Sequence, residues 1–390
     1  MNAVLKDPQL CTGCAACEAS CGTHAISMVP NEEGFLYPSI DANACTECKL
    51  CERICPVNPE HPKDLFHHEP QEFLAAWNKD EEIRRQSSSG GVFTALAENI
   101  LEQGGAVVGA AFDESFKVRH IMIENKDELA KLRGSKYVQS EVSSALYGRI
   151  KSELRDGRKI LFSGTPCQVA GMRQVMRKQE GILYVDILCH GVPSPKLWEE
   201  YRATLNAAPS SFSFRDKITG WKDYSISWLI NGSVHKELGR DNAYMHAFLR
   251  DYTLRMACYA CSYAKMERVG DLTLADFWGI EKCYPEYDDD KGTGLVLVND
   301  SHGRLSLAAC SDVVIAYPVS SDAATLGNPI FRGPSHRPAA RGEFYNKLSS
   351  GGFASVAKIY ALGLPSALQR FASKFKRTIK MILIMIGVKR

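Results

Sequence analysis

Short apolar runs and helically spaced apolar positions take turns along most of this chain. Glu72–Trp77, Ala106–Phe112, Lys159–Phe162 and Gly181–Leu188 are compact runs of strand length. Between them, Gly90–Gln103 spaces Val92, Phe93, Leu96, Ile100 and Leu101 as one face of a helix, which Gly104-Gly105 ends. Leu146–Leu154 and Val169–Gln179 read as further helices. Ser225–Leu229, Asp271–Leu274 and Gly294–Asn299 read as later strands, with a helix around Asp241–Leu249. This alternation predicts a layered domain of sheet and helix. Ahead of it, Ala25–Val29 and Phe35–Ile40 are short strand-like runs around an Asn31–Gly34 turn. Asn58–Pro70 is proline-rich, carries His61, His67 and His68, and reads as a solvated linker.

After Tyr345 the pattern turns helical again. Within Ser366–Arg390, Phe371, Phe375, Ile379, Ile382, Leu383 and Ile386 recur every three or four residues among Lys and Arg, with no acidic residue. Such a basic amphipathic helix suits either the interface of an anionic membrane or the surface of a protein. It is too short in apolar length to span a bilayer.

Composition narrows the classes. With 390 residues there is room for two or three domains. Lys and Arg number 47 against 45 Asp and Glu, a balance that argues against nucleic acid as a main partner. Met1–Leu10 lacks the apolar core of a signal peptide, so the expected compartment is the cytoplasm, with the tail at the inner face of a membrane as one reading.

The cysteines change the picture most. Eight of the fourteen fall in two runs, Cys11, Cys14, Cys17, Cys21 and Cys45, Cys48, Cys51, Cys55, the second offset from the first by 34 residues throughout. This doubled C-x2-C-x2-C-x3-C is the ligand pattern of a two-cluster bacterial ferredoxin, in which the fourth cysteine of each run serves the other cluster. The expected sets are Cys11, Cys14, Cys17 and Cys55 for one [4Fe-4S] cluster, and Cys45, Cys48, Cys51 and Cys21 for the other. Zinc sites pair two C-x2-C knuckles instead, and a disulfide framework belongs to secreted chains. One departure is that Cys21 precedes Gly22, whereas Cys55 precedes Pro56.

Of the other six cysteines, Cys167 and Cys189 each follow a predicted strand, and Cys258 and Cys261 form a C-x2-C. Spacing alone leaves two readings: a third cluster, or two structural thiols beside a redox or zinc-binding pair. Cys283 and Cys310 have no partner motif and read as ordinary thiols. Ser87-Ser88-Ser89-Gly90-Gly91, just before a helix, suits an anion site or an unliganded helix cap. Arg133–Ser140 adds hydroxyls, a cation and an aromatic without core periodicity, a set suited to a nucleotide cofactor.

Taken in order, Ser88–Gly91, Gly134-Ser-Lys-Tyr137, Gly164–Gln168, Cys189-His-Gly191, Cys258-x2-Cys261 and Asp276-Phe-Trp-Gly279 resemble the coenzyme F420 hydrogenase/dehydrogenase beta-subunit family over about Gln71 to Tyr345. Phe214–Lys217, Gly191–Pro195 and Ala260–Lys265 are most similar to a bacterial branch found beside polysaccharide-assembly enzymes. The resemblance implies FAD and a third [4Fe-4S] cluster on Cys167, Cys189, Cys258 and Cys261. It also implies flavin contacts at Ser88, Ser89, Gly90, Gly91, Ser135, Lys136 and Tyr137. Lys136, Arg215 and Lys217 are candidates to hold an anion, Asp276 and Trp278 to line the pocket, and His190 to donate a proton.

The expected fold is α+β. A two-[4Fe-4S] ferredoxin-like domain (1–62) and a linker (63–70) precede a mixed α/β flavin- and cluster-binding domain (71–345) and a helical tail (346–390). The expected function is electron transfer between clusters and a small-molecule substrate at FAD, with a partner oxidoreductase or electron-transfer protein. A non-catalytic electron carrier docking to a separate enzyme is the alternative.

Overall fold

The computed structural model describes residues 4–67, 72–177 and 179–360, together with Phe375 and Ile379. The polypeptide begins with a small unit in which β1 (Ile26–Pro30) and β2 (Leu36–Ile40) pair as an antiparallel hairpin, Ile26 opposite Ile40. Two short helices, Ala16–Ala19 and Leu50–Ile54, flank it at equivalent places in the duplicated sequence. The duplication extends to the backbone. Gly13 and Ala15 take positive φ in the first run, and Glu47 and Lys49 do so at the matching positions of the second. Left-handed φ is uncommon for a residue with a side chain, so four such residues in one small unit, His24 with Ala15, Glu47 and Lys49, mark loops shaped for a purpose.

The larger unit is a mixed sheet of eight strands. Its members are β3 (Glu72–Asn78), β4 (Ala106–Phe112), β5 (Val118–Ile123), β6 (Ile160–Gly164), β7 (Ile182–Ile187), and, after an insertion, β11 (Leu272–Asp276), β12 (Gly294–Val298) and β13 (Val314–Pro318). They lie in the order β13-β3-β12-β11-β7-β6-β4-β5. The four central strands β4, β6, β7 and β11 are parallel, and the strands outside them run antiparallel. Val107, Leu161, Val185, Leu272 and Val296 are fully buried, as expected of strands covered on both faces. The insertion forms a separate antiparallel sheet, β8 (Ser211–Asp216), β9 (Ser225–Ile230) and β10 (Ser233–Leu238), in the order β10-β9-β8.

Most of the predicted strands and helices are present within a residue or two of their expected ends. Val118–Ile123, Glu81–Gln86, Pro195–Arg202, Ser211–Asp216 and Val314–Pro318 were not predicted from the pattern. Several are short, and the edge strands of a sheet carry a weaker alternation than its centre.

The segment read as a solvated linker is packed against the larger unit. Leu65 and Phe66 join the core beside β6 and β7, with the Phe66 ring 5.8 Å from that of Tyr263. The His67 amide donates to Arg268 O at 3.0 Å, and its ring sits in a network with Arg173, Asp271 and Asp300. His68 lies outside the described residues, as does the basic tail apart from Phe375 and Ile379, which are helical and exposed. Among the described residues no helix is long and apolar enough to cross a membrane.

Candidate functional site

The parallel strands bring the site together. Where β6 ends, Thr165 caps the helix Pro166–Met176 in a reciprocal arrangement with Gln168, and Pro166 occupies its first turn. Cys167 is the second residue of that helix. Cys189 follows β7, and Asp276 ends β11 next to it in the sheet. Loops at the carboxyl ends of parallel strands form the crevice where open α/β sheets bind ligands. The antiparallel partner β12 starts at the same edge, with Gly294 opposite Asp276 on one side and Ala76 on the other. The Ser87–Gly91 turn after β3 therefore reaches the same rim.

Cys258 and Cys261 come from the turn Met256–Ala260 in the chain that returns from the insertion. Cys189 is close enough to Cys258, Cys167 and Cys261 that charge on any of these disfavours charge on it. Burial first, then these neighbours, push its thiol far up; Cys258 is pushed up to about 12 and Cys167 to about 11, again mainly by burial. Four half-buried thiols gathered in one place, each costly to ionise without a metal, fit an iron–sulfur centre.

The N-terminal runs behave similarly. Cys11, Cys14, Cys17 and Cys55 line a cavity of ≈120 Å³, which pairs three cysteines of the first run with the last of the second. Burial pushes Cys14 up to about 12 and Cys55 to about 11. The other set is nearer the surface, and Cys48 is exposed. At Cys21 burial is outweighed by the Thr23 hydroxyl and by the backbone N–H groups of Thr23, Ala25 and Ile26, which favour the thiolate.

The two units touch where these cysteines lie. Helix Pro166–Met176 passes Gly171 against Cys14, where an added Cβ would lie 2.9 Å from the Cys14 sulfur. Tyr147 donates to Cys14 O at 2.8 Å. On the far side, Arg341 grips Glu33 through two bonds of 2.7 and 2.6 Å.

Beyond Cys189 opens a cavity of ≈1390 Å³. Its walls include Ser88, Ser89, Gly90, Gly91, Ser135, Lys136, Tyr137, His190, Asp276 and Trp278, the rim residues expected from the sequence. The two predicted lips touch each other: Ser135 N donates to Ser88 Oγ at 2.7 Å, and the two hydroxyls lie 2.9 Å apart. Ser89 donates instead to Thr293 O. Gly90 lies against the backbone of Ala76 and Gly294, and an added Cβ at Gly91 would point at Asn78 and Ser87. The turn's own packing is thus enough to require these glycines, with Gly91 at φ +84°.

The three candidate anion-holding cations separate. Lys217 donates to Arg84 O, Ser89 O and Lys291 O and braces the turn from behind; burial lowers its amine to about 7. Lys136 is spent on Lys131 O and Arg133 O, and burial lowers it to about 7 as well. Arg215 remains in the wall. It pairs with Asp276 at 3.2 Å, lies over the Tyr224 and Trp278 rings, and leaves its buried Nε without a hydrogen-bond partner.

His190 Nε2 is 2.7 Å from Asp251 Oδ1, and Ser335 donates to His190 O. Asp251, at φ +64°, had no signal in the sequence. Neither did Arg332, His336 and Arg337, which line the cavity from the segment after β13. His120, buried in the wall between Ser140 and Ser163 O, is lowered to about 4 by burial and stays neutral. Cys310 is buried in the core and Cys283 is exposed on a short helix.

Comparison with known families decides the identity. Residues 73–147 match the N-terminal part of the coenzyme F420 hydrogenase/dehydrogenase beta subunit, and residues 157–316 match its C terminus. The chain belongs to this family. Residues 10–58 match a 4Fe-4S dicluster domain, so this family member is an iron–sulfur protein of the oxidoreductase type. A solved structure similar to it is a chain of the F420-reducing [NiFe] hydrogenase complex from Methanosarcina barkeri, 16% identical, with a TM-score of 0.47 over 72% of this chain and 93% of that one. No curated protein sequence matches.

Proposed function

We propose that this chain is an iron–sulfur flavoprotein oxidoreductase that passes electrons along three [4Fe-4S] clusters to and from FAD in the large cavity. The observation that carries this reading is the physical sequence of sites. The Cys45/Cys48/Cys51/Cys21 set, with Cys48 exposed, adjoins the Cys11/Cys14/Cys17/Cys55 set where Cys21 and Cys51 pack on Cys17 and Cys55; Cys14 lies against Gly171 of the helix that carries Cys167; and Cys189 borders the cavity. FAD exchanges a hydride with a substrate and single electrons with clusters.

The residues of the cavity fit such a group. Ser88 and Ser135 form a hydroxyl lip, the helix Val92–Glu102 begins at the same turn, and Arg215 stands in the wall as a buried cation. At ≈1390 Å³ the cavity exceeds the ~300–1,000 Å³ of an ordinary single-ligand pocket, which leaves room for a small-molecule substrate beside the flavin. His190, whose Nε2 lies 2.7 Å from Asp251 Oδ1, is the group to supply a proton at that end.

The partner is an electron-transfer protein or oxidoreductase that meets the exposed cluster. The basic tail would serve as a peripheral contact with an anionic membrane, tested by co-sedimentation of the full chain, and of a chain ending at Leu364, with anionic vesicles.

Anaerobically purified protein should contain about twelve iron atoms per chain and stoichiometric FAD, and Cys258→Ala should lower the iron to about eight. A parent count near eight that Cys258→Ala leaves unchanged would remove the third cluster. Absence of FAD from fully iron-loaded protein would remove the flavin.

A further inference from the structure

Arg255 is the most deeply placed cation in the contact between the two units. It is 1% exposed and, among the described residues, makes no ion pair with a carboxylate. Its Nε donates to Cys11 O at 2.6 Å, and its Nη2 to Leu36 O at 2.8 Å and to the Cys11 sulfur at 3.5 Å. Its Nη1 donates to Gln139 Oε1 at 3.0 Å, and Gln139 in turn donates to Thr12 O. The guanidinium lies over Tyr37, 4.1 Å from the ring centroid. Three residues further along the same chain is Cys258, whose amide bonds back to Arg255 O.

A permanently charged group buried without a counter-ion is costly, so the site calls for negative charge close by. The anions in reach are thiolates. The positive charge of Arg255 favours ionisation of Cys167 and Cys258, and its own Nη2 touches Cys11. An iron–sulfur centre held by cysteine thiolates is itself a net anion, and it becomes more negative on reduction. Hydrogen bonds to its sulfurs and nearby positive charge therefore favour the reduced form.

We propose that Arg255 is a positioning residue shared by the Cys11/Cys14/Cys17/Cys55 centre and the Cys167/Cys189/Cys258/Cys261 centre, raising the reduction potential of both and pinning them together. The step it governs moves one electron: one centre is oxidised as the other is reduced, and no bond or proton changes. Lysine does not replace the residue, because a compact ammonium does not span Cys11 O, the Cys11 sulfur, Leu36 O and Gln139 together.

The inference rests on the cluster ligands of the preceding reading, and the test separates the two. Full-length parent, Arg255→Met and Arg255→Lys proteins are prepared anaerobically, iron is counted, and each cluster is titrated by EPR against a low-potential one-electron donor. At equal iron content, Arg255→Met should lower the midpoints of the two junction centres and leave the exposed centre where it was. Arg255→Lys, which keeps charge but loses the fork, should give a smaller drop in the same centres, and serves alone if Arg255→Met fails to load iron. Unchanged midpoints at full iron content, with only the melting temperature reduced, would overturn the proposal and leave Arg255 as a packing residue. A parent chain that lacks the third centre would sink the ligand set instead. The midpoint of the Cys11 centre would then decide separately whether Arg255 tunes it.

Discussion

Arg215 and Lys217 stand two residues apart and do different work, because one lines the cavity beside Asp276 and the other gives its bonds to backbone carbonyls behind the turn. Residue type alone did not separate them; burial and partners did. The cysteines lead to a prediction at this scale. Folded but iron-free, Cys14, Cys55, Cys167 and Cys258 are pushed up from 9.0 to about 11 or 12, chiefly by burial. The folded apo-chain thus holds protons that the unfolded chain releases. Its stability contribution is complete below the unfolded value of about 9 and is lost as pH rises toward about 11. The melting temperature of apo-protein should fall between about pH 8 and 10 more steeply than that of cluster-loaded protein, whose thiolates carry iron and no proton. Parallel curves for the two forms would show that these thiols are not the ligands.

At the scale of elements, the turn Ser87–Gly91 shows how a motif's glycines can be required for a reason other than the ligand. Gly91 is left-handed and caps the helix Val92–Glu102, and its missing Cβ faces protein. Gly91→Val should cost ~1–2 kcal/mol of backbone strain and reduce flavin occupancy through the distorted turn. Gly91→Asn, a residue that tolerates this φ, should retain more of both stability and flavin. Chemical denaturation and flavin absorbance measure the two effects. Equal flavin loss in both variants, with stability unchanged, would mean that the glycine makes room for the cofactor after all. The short helices of the two cysteine runs illustrate the opposite case. Their left-handed entries at Ala15 and Lys49 are not favourable for these residues, yet the duplicated spacing already placed the loops.

For the whole molecule, the proposed function makes the Cys45/Cys48/Cys51/Cys21 set the expected point of electron entry. Cys48 is at the surface, while Cys14, Cys17 and Cys55 are buried. Cys48→Ser should remove about four iron atoms and slow reduction of the remaining centres by a protein electron donor, while photoreduction of the flavin proceeds as before. Stopped-flow absorbance reads the first and steady illumination the second. An undiminished rate with the donor protein would place the entry point elsewhere.

The sequence by itself determined the cluster-binding unit, since three cysteines of each expected set lie within a few residues of one another and the duplicated spacing pairs each run with the other's fourth cysteine. It also determined the alternation of strand and helix, because buried parallel strands need continuous apolar runs. Membership in the family was legible from short motifs for the same local reason. Only the tertiary structure decided what depends on residues far apart in the chain. Cys167, Cys189 and the Cys258/Cys261 pair meet because parallel strands end at one rim. Asp251 is drawn to His190 by a turn some sixty residues on, and Arg255 reaches Cys11 across 244 positions. His67 belongs to a packed network though its neighbours in sequence read as linker. A local pattern records what a residue needs from its own turn of chain; which distant atoms it meets is set by how sheet edge, helix and insertion are packed together.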